Sequence, residues 1–326
     1  MPAPSPSATP AVPAAVPTSA SASASAAVPD PGGPVGRGGL GPVALVVAAG
    51  VSVQFGAALA VLIMPRAGAA GVVTLRLAMA ALVLLVLCRP AVRGYTRSDW
   101  TTVVWFGVTM AGMNGLFYQA VDRIPLGPAV TLEVLGPLAL SVLVSRRLLN
   151  LLWAGLALAG VVLLAGHGSG GFGGLDPWGA AFALGAGAMW AAYIVFSART
   201  GRRFPQADGL ALAMAVAAVL SLPLGVVEAG SALLAPGTIA LGAGVAVLSS
   251  VLPYTLEMLA LRRLPAPTFA ILMSLEPAIA ATAGFLVLHQ ALSALDAVAI
   301  ALVIAASMGA VRAQSRRASA SLPQAA

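Results

Sequence analysis

Residues 116–137 read LFYQAVDRIPLGPAVTLEVLGP, and residues 256–277 read LEMLALRRLPAPTFAILMSLEP. The two stretches align at a constant offset of 140, with identities at Leu116/Leu256, Ala120/Ala260, Arg123/Arg263, Pro125/Pro265, Leu135/Leu275 and Pro137/Pro277. Each contains the end of one apolar run, a polar break with arginine and proline, and a second apolar run interrupted by glutamate and proline. A chain this rich in Leu and Ala produces chance matches, but two prolines at equal spacing in both copies mark a duplicated unit.

Outward from these copies, apolar runs fill 42–63, 70–88, 101–121, 127–145, 148–166, 178–198, 208–228, 238–261, 268–288 and 293–311. Each is close to the ~20 residues that cross a ~30 Å hydrocarbon core as helix. Barrel strands are shorter, about 9–11 residues, and alternate in polarity. Hydrophobic residues make up 60% of the chain and charged ones 8%, with mean hydropathy +0.97. A soluble domain carries about 25% charged residues, so the lipid bilayer is the solvent here. The predicted fold class is an all-α integral membrane protein of ten transmembrane helices. The offset sets helices three and four against eight and nine, which makes the unit five helices. An odd number per unit inserts the second copy upside down, and inverted repeats are a common build of secondary transporters.

The basic residues give the orientation. The sequence has 17 of them and no lysine. With the N-terminus in the cytoplasm, the inner segments hold Arg37, Arg89, Arg93, Arg97, Arg146, Arg147, Arg199, Arg202, Arg203, Arg262, Arg263, Arg312, Arg316 and Arg317. The outer loops hold Arg66 and Arg123, and Arg76 falls inside a span. Cytoplasmic loops collect arginine, so both termini are expected inside the cytoplasmic membrane. A net charge of +7 in a soluble protein would suggest nucleic acid; distributed over short loops it does not, and no nucleic-acid partner is expected.

Domain organisation follows from these readings. Residues 1–39 form a Pro/Ala/Ser-rich tail without the apolar side chains needed to offset ordering, and are expected to be disordered. The tail lacks the basic start and apolar core of a secretory signal. Residues 40–166 form the first repeat, 167–177 a Gly-rich linker, 178–311 the second repeat and 312–326 a basic cytoplasmic tail.

Ionisable groups inside spans are costly, about 2.5–3.5 kcal/mol on insertion scales, and are functional candidates by default. Glu133 and Glu276 lie at mirrored depths on repeat-related helices, each followed by a proline, Pro137 and Pro277. Proline frees a carbonyl one turn back and bends the helix. The glutamates are candidates to bind a proton or an ammonium group; equally, they could satisfy backbone groups freed at the bends. Glu257 is close enough to Arg262 and Arg263 to be structural. Arg76 lies roughly 9 Å from the outer end of its helix; it could snorkel outward, pair with Glu133, or meet a substrate carboxylate. Gln54, Asn114, Tyr118, Trp190, Tyr193 and Tyr254 each suit packing or interhelix hydrogen bonds, and as a set could line an amino-acid-sized cavity.

Other chemistry finds little support. Gly168, Gly170 and Gly173 have dinucleotide-fingerprint spacing but follow no strand, and there is no P-loop. His167 and His289 belong to no metal or catalytic motif, and Cys88, the single cysteine, has no partner for a disulfide. No catalytic residue, metal or cofactor is expected.

The run PYTLEMLALRRLPAPTFAILMSLEPAIAATAGFLVLHQALS, residues 253–293, resembles the second-half signature of the drug/metabolite transporter superfamily, EamA-type, and within it the bacterial threonine/homoserine exporters. DRIPLGPAVTLEVLGPLA with its following arginine pair resembles the first-half counterpart. The likeness spans roughly 40–311 and implies export of amino acids by alternating access through two inverted EamA units. In the family the ninth helix often ends in leucine-glycine-glutamate; here Leu288, His289 and Gln290 stand there, which questions any coupling role for that position. The expectation is therefore a secondary exporter of small neutral amino acids, threonine- or homoserine-like, driven by the proton gradient. The alternatives are the same fold with another small metabolite or a drug-like cation, or a membrane-embedded enzyme or channel, for which no catalytic constellation or filter motif is present. A homodimer is compatible with this reading, but no residue argues for it.

Overall fold

The computed structural model describes residues 40–320, apart from 146–147, 167–174, 206, 262 and 265. The N-terminal tail, the linker glycines and His167 lie outside the described residues. Those described form helices α1 (Leu40–Cys88), α2 (Arg97–Val121), α3 (Leu126–Glu133), α4 (Leu135–Ser145), α5 (Leu148–Gly166), α6 (Pro177–Gly201), α7 (Asp208–Ala229), α8 (Pro236–Ala246), α9 (Leu252–Leu261), α10 (Ala266–Met273), α11 (Glu276–Leu288) and α12 (Ala294–Ala320). A 3₁₀ turn, Gly230–Leu234, follows α7, and a π turn, Val247–Val251, joins α8 to α9. Five continuous helical segments among the described residues are long and apolar enough to cross a membrane, and shorter apolar helices accompany them.

α1 contains 49 residues, which as one rod would reach about 73 Å, more than twice the hydrocarbon core. Gly68 breaks it: its φ of 67° and ψ of 170° are not helical, and glycine adopts positive φ without a Cβ penalty. Pro65, three residues earlier, removes a backbone donor just ahead of the break. The two arms coincide with the runs 42–63 and 70–88. The start of α2 is fixed by a capping box, in which Thr96 accepts from the Asp99 backbone and Asp99 accepts from the Thr96 backbone. The backbone and hydroxyl hydrogen bonds from Thr96 hold the Asp99 carboxyl below its ordinary range. The cap is therefore complete at neutral pH and is lost only as pH falls through that lowered value.

Packing joins the two halves of the chain. α1 runs against α7, α8, α9 and α11; α2 against α6 and α7; α3 against α11; α4 against α6; and α5 against α12. Lipid tails offer no hydrophobic drive between helices, so close backbone approach supplies the contact. The tightest approach is Gly136 of α4 on Gly187 of α6: a Cβ on Gly136 would fall on the Gly187 carbonyl, and one on Gly187 would meet the Glu133 carbonyl at 2.5 Å. Large apolar side chains such as Leu87, Leu143, Leu224 and Val227 point outward, as a lipid-facing surface requires.

Candidate functional site

Two helix breaks define the site. α3 gives way to α4 at Val134, and α10 to α11 across Ser274 and Leu275; positions 134 and 274 are separated by the repeat offset. Pro137 and Pro277 have no N–H for the carbonyls of Glu133 and Met273 one turn back. The Glu133 carbonyl instead faces the bare Cα of Gly187. Between the breaks lies a cleft lined by Pro137 and Leu138, by Met273 and Ser274, by Trp190 of α6 and by Ser307 of α12.

The ionisable candidates gather around these breaks. Glu276 opens α11 and is 8% exposed, Glu257 is 6% exposed, and Glu133 is half-buried. Glu276 lies within electrostatic reach of both Glu133 and Glu257, and Glu133 within reach of Arg76. Arg76 neither snorkels nor forms an ion pair with Glu133. Its Nη1 donates to the Tyr118 hydroxyl at 3.2 Å and its Nη2 to the Ser249 carbonyl at 3.3 Å, with the guanidinium 5.8 Å from the Tyr118 ring centroid. The ion pairs among the described residues are Arg123–Asp176 and Arg203–Asp99, each at 3.8 Å. Glu257 therefore has no ion pair with Arg263, while Arg262 lies outside those residues.

Arg76 depends on a feature that the sequence reading passed over. Pro253 cannot donate to the carbonyls one turn back, and the helix answers with the π turn Val247–Val251. Side chains fill the vacancy from both arms of α1: Ser52 Oγ donates to the Leu248 carbonyl at 2.6 Å, and Arg76 to that of Ser249. The available signal was Ser249, Ser250 and Pro253 inside an otherwise apolar run. The guanidinium is thereby held by one hydroxyl and one carbonyl, and no carboxylate among the described residues lies at ion-pair distance from it.

The remaining candidates divide. Trp190 lines the cleft, and Tyr118 is fully buried under Arg76. Asn114 is turned to its own helix, donating to the Met110 carbonyl at 2.9 Å, and the Tyr193 ring packs at 5.1 Å from that of Phe106. Gln54 is 4% exposed and its Oε1 has no partner among the described residues. The Tyr254 side chain lies outside the described residues. The Leu288–His289–Gln290 stretch has a structural role: His289 takes the left-handed conformation that ends α11, with φ of 54°. The Gln290 side-chain oxygen accepts from the Leu126 N–H at 3.0 Å.

Apolar helices broken ahead of paired prolines, with ionisable side chains at the breaks, suit a membrane transporter. The EamA-like transporter family matches residues 177–312. The threonine/homoserine exporter RhtA of Salmonella typhimurium strain LT2 is 42% identical over 268 residues, covering 82% of this chain and 90% of that protein. RhtA of Escherichia coli K12 is 41% identical over the same length and shares. A crystal structure of a protein 19% identical in sequence superposes with a TM-score of 0.58 over 85% of this chain and 98% of its own, a likeness of fold. The chain belongs to the EamA-like transporter family. It is a multi-pass protein of the cytoplasmic membrane and a transporter, not an enzyme.

Proposed function

We propose that the protein exports small neutral amino acids of the threonine and homoserine type, by alternating access of ten helices arranged as two inverted five-helix units with both termini cytoplasmic. The observation that carries this reading is the Arg76 guanidinium within electrostatic reach of the half-buried Glu133 carboxyl, itself within reach of the buried Glu276, at two repeat-related helix breaks. Such a site complements a zwitterion. Arg76, with Tyr118 beside it, receives the carboxylate, and Glu133 and Glu276 receive the ammonium group or a proton. The RhtA relatives are exporters of threonine and homoserine by name, which supports that cargo. The pairing of α1 with α8 and α9, and of α2 with α6, supports an exchange of helices one and eight with six and three. The proton gradient supplies the driving force if a carboxyl empties on one side and refills on the other.

The test is Glu276→Gln, which keeps size and most hydrogen bonding but removes charge and titration. Cells loaded with threonine or homoserine should export through the unaltered chain and not through this variant, while Glu257→Gln retains most of the rate. A Glu276→Gln chain exporting at full rate with unchanged pH dependence would reduce Glu276 to a group that satisfies the helix bend. One observation favours a second cargo: Trp190 stands on a largely apolar cleft between the helix breaks, a suitable wall for a drug-like cation. Competition of amino-acid export by such cations separates the two.

A further inference from the structure

Three polar links gather at one face, and each ties the first half of the chain to residues beyond it. Glu228, at the end of α7, accepts from the backbone N–H groups of Ala69 and Ala70 at 3.0 and 2.8 Å, immediately after the Gly68 break. Gln290, after α11, accepts from the N–H of Leu126 at the start of α3. Arg123 pairs with Asp176, which also caps the start of α6. In the first two links a side-chain oxygen satisfies orphan donors of a helix N-terminus, reaching across about 160 residues of sequence. On the proposed topology, on which this inference rests, all three lie at the outer face. The cleft between the helix breaks lies toward the other face: its α12 wall, Ser307 to Val311, lies at the C-terminal end of the apolar span Ala294–Arg312.

We propose that Glu228 and Gln290 are the latches of an outer gate, closed in this structure, and that both bonds break when the cleft opens to the outside. The geometry suits a latch. Each bond joins a side chain of the second repeat to the first turn of a helix in the first, so separating the halves at this face must break both. Each acceptor sits at the edge of the protein, Glu228 exposed and Gln290 half-buried, where water can replace the lost partner. Gln290 thus has a use that needs an acceptor oxygen and no charge, which accounts for an amide standing where the family often has a carboxylate. Glu228 and Gln290 are positioning residues: they touch helix ends, not cargo.

The experiment uses the full chain with its single cysteine removed by Cys88→Ser and a reporter placed in the cleft by Ser274→Cys. A membrane-impermeant maleimide is applied outside intact cells, and separately to everted vesicles. With the gate intact, Ser274→Cys should label readily in everted vesicles and poorly in cells. Adding Gln290→Ala should raise labelling in cells about fivefold, the effect of losing one such bond. Glu228→Ala, which loses two, should raise it further, and both should slow export of threonine. Gln290→Glu keeps an acceptor oxygen and should return labelling to the original level, which a role in packing alone would not require. If Gln290→Ala fails to accumulate, Glu228→Gln, which retains one acceptor oxygen, should give intermediate labelling. Unchanged labelling in well-accumulated Glu228→Ala and Gln290→Ala chains would overturn the gate and leave these contacts as permanent braces. Labelling does not depend on cargo, so a gate that responds in a chain exporting no threonine would refute the proposed substrate and keep the latch.

Discussion

Arg76 shows how a single charge in a span acquires a direction. Its Nη1 donates to the Tyr118 hydroxyl and its Nη2 to the Ser249 carbonyl, an arrangement specific to a planar fork. Arg76→Lys keeps the charge but cannot reach the Tyr118 hydroxyl and the Ser249 carbonyl together. We expect the KM for threonine to rise about tenfold with little change in accumulation, measured by export from cells loaded to different levels. His289 offers the opposite kind of test. A non-glycine residue in the left-handed region costs roughly 1–2 kcal/mol, partly recovered by the lower chain entropy of histidine when unfolded. His289→Gly should therefore stabilise the protein by about 0.5–1 kcal/mol, read as a higher Tm in detergent. At this scale the sequence was informative where charge was concerned. Glu133, Glu276 and Arg76 stood out as candidates because ionisable groups in apolar runs are rare, and the fold brings Glu133 within electrostatic reach of both others. Asn114 and Tyr193 were not separable from them, since a polar side chain turned to its own backbone or packed on a ring looks the same in one-letter code.

The helical character of the apolar runs was legible, because lipid forces a spanning segment to satisfy its backbone internally, and five helical segments among the described residues are long and apolar enough to span. Breaks were legible where proline follows glutamate in both repeats, though they fall two or three residues before the prolines, where the missing donor is felt. The π turn at Val247–Val251 was not, because Pro253 permits either a kink or a register change and only the neighbouring Ser52 and Arg76 decide between them. The Gly136–Gly187 approach was also hidden, as nothing in a glycine-rich chain says which glycines meet. It carries a direct prediction. Gly136→Ala places a methyl group on the Gly187 carbonyl, and overpacking of this kind costs about 1–3 kcal/mol. Folded protein recovered from membranes should fall, whereas Gly155→Ala, with open space at its Cβ, should leave the yield unchanged.

For the molecule as a whole, the arginine bias and the repeat offset argue for the proposed topology, which fusions test. Reporter fusions after Arg97, Arg147, Arg203 and Arg317 should read cytoplasmic, and fusions near Gly170 and Gly230 should read outside. A cytoplasmic signal near Gly170 would end the inverted-repeat reading. Removing residues 2–36 should leave export intact, since the repeated units begin after them. Cargo was the least legible property: the site proposed around Arg76 and the carboxyls would suit any zwitterion, and side chains around the cleft do not spell out a hydroxyl. The relatives narrow the choice, and solution measurement decides it. The most direct test is counterflow in proteoliposomes loaded with unlabelled threonine and diluted into trace labelled homoserine. A carrier with one alternating site should give a transient accumulation of label above its outside level, abolished by Arg76→Gln. Entry of label that never exceeds equilibration, or that ignores the threonine inside, would contradict the exporter reading and point to a channel or another cargo.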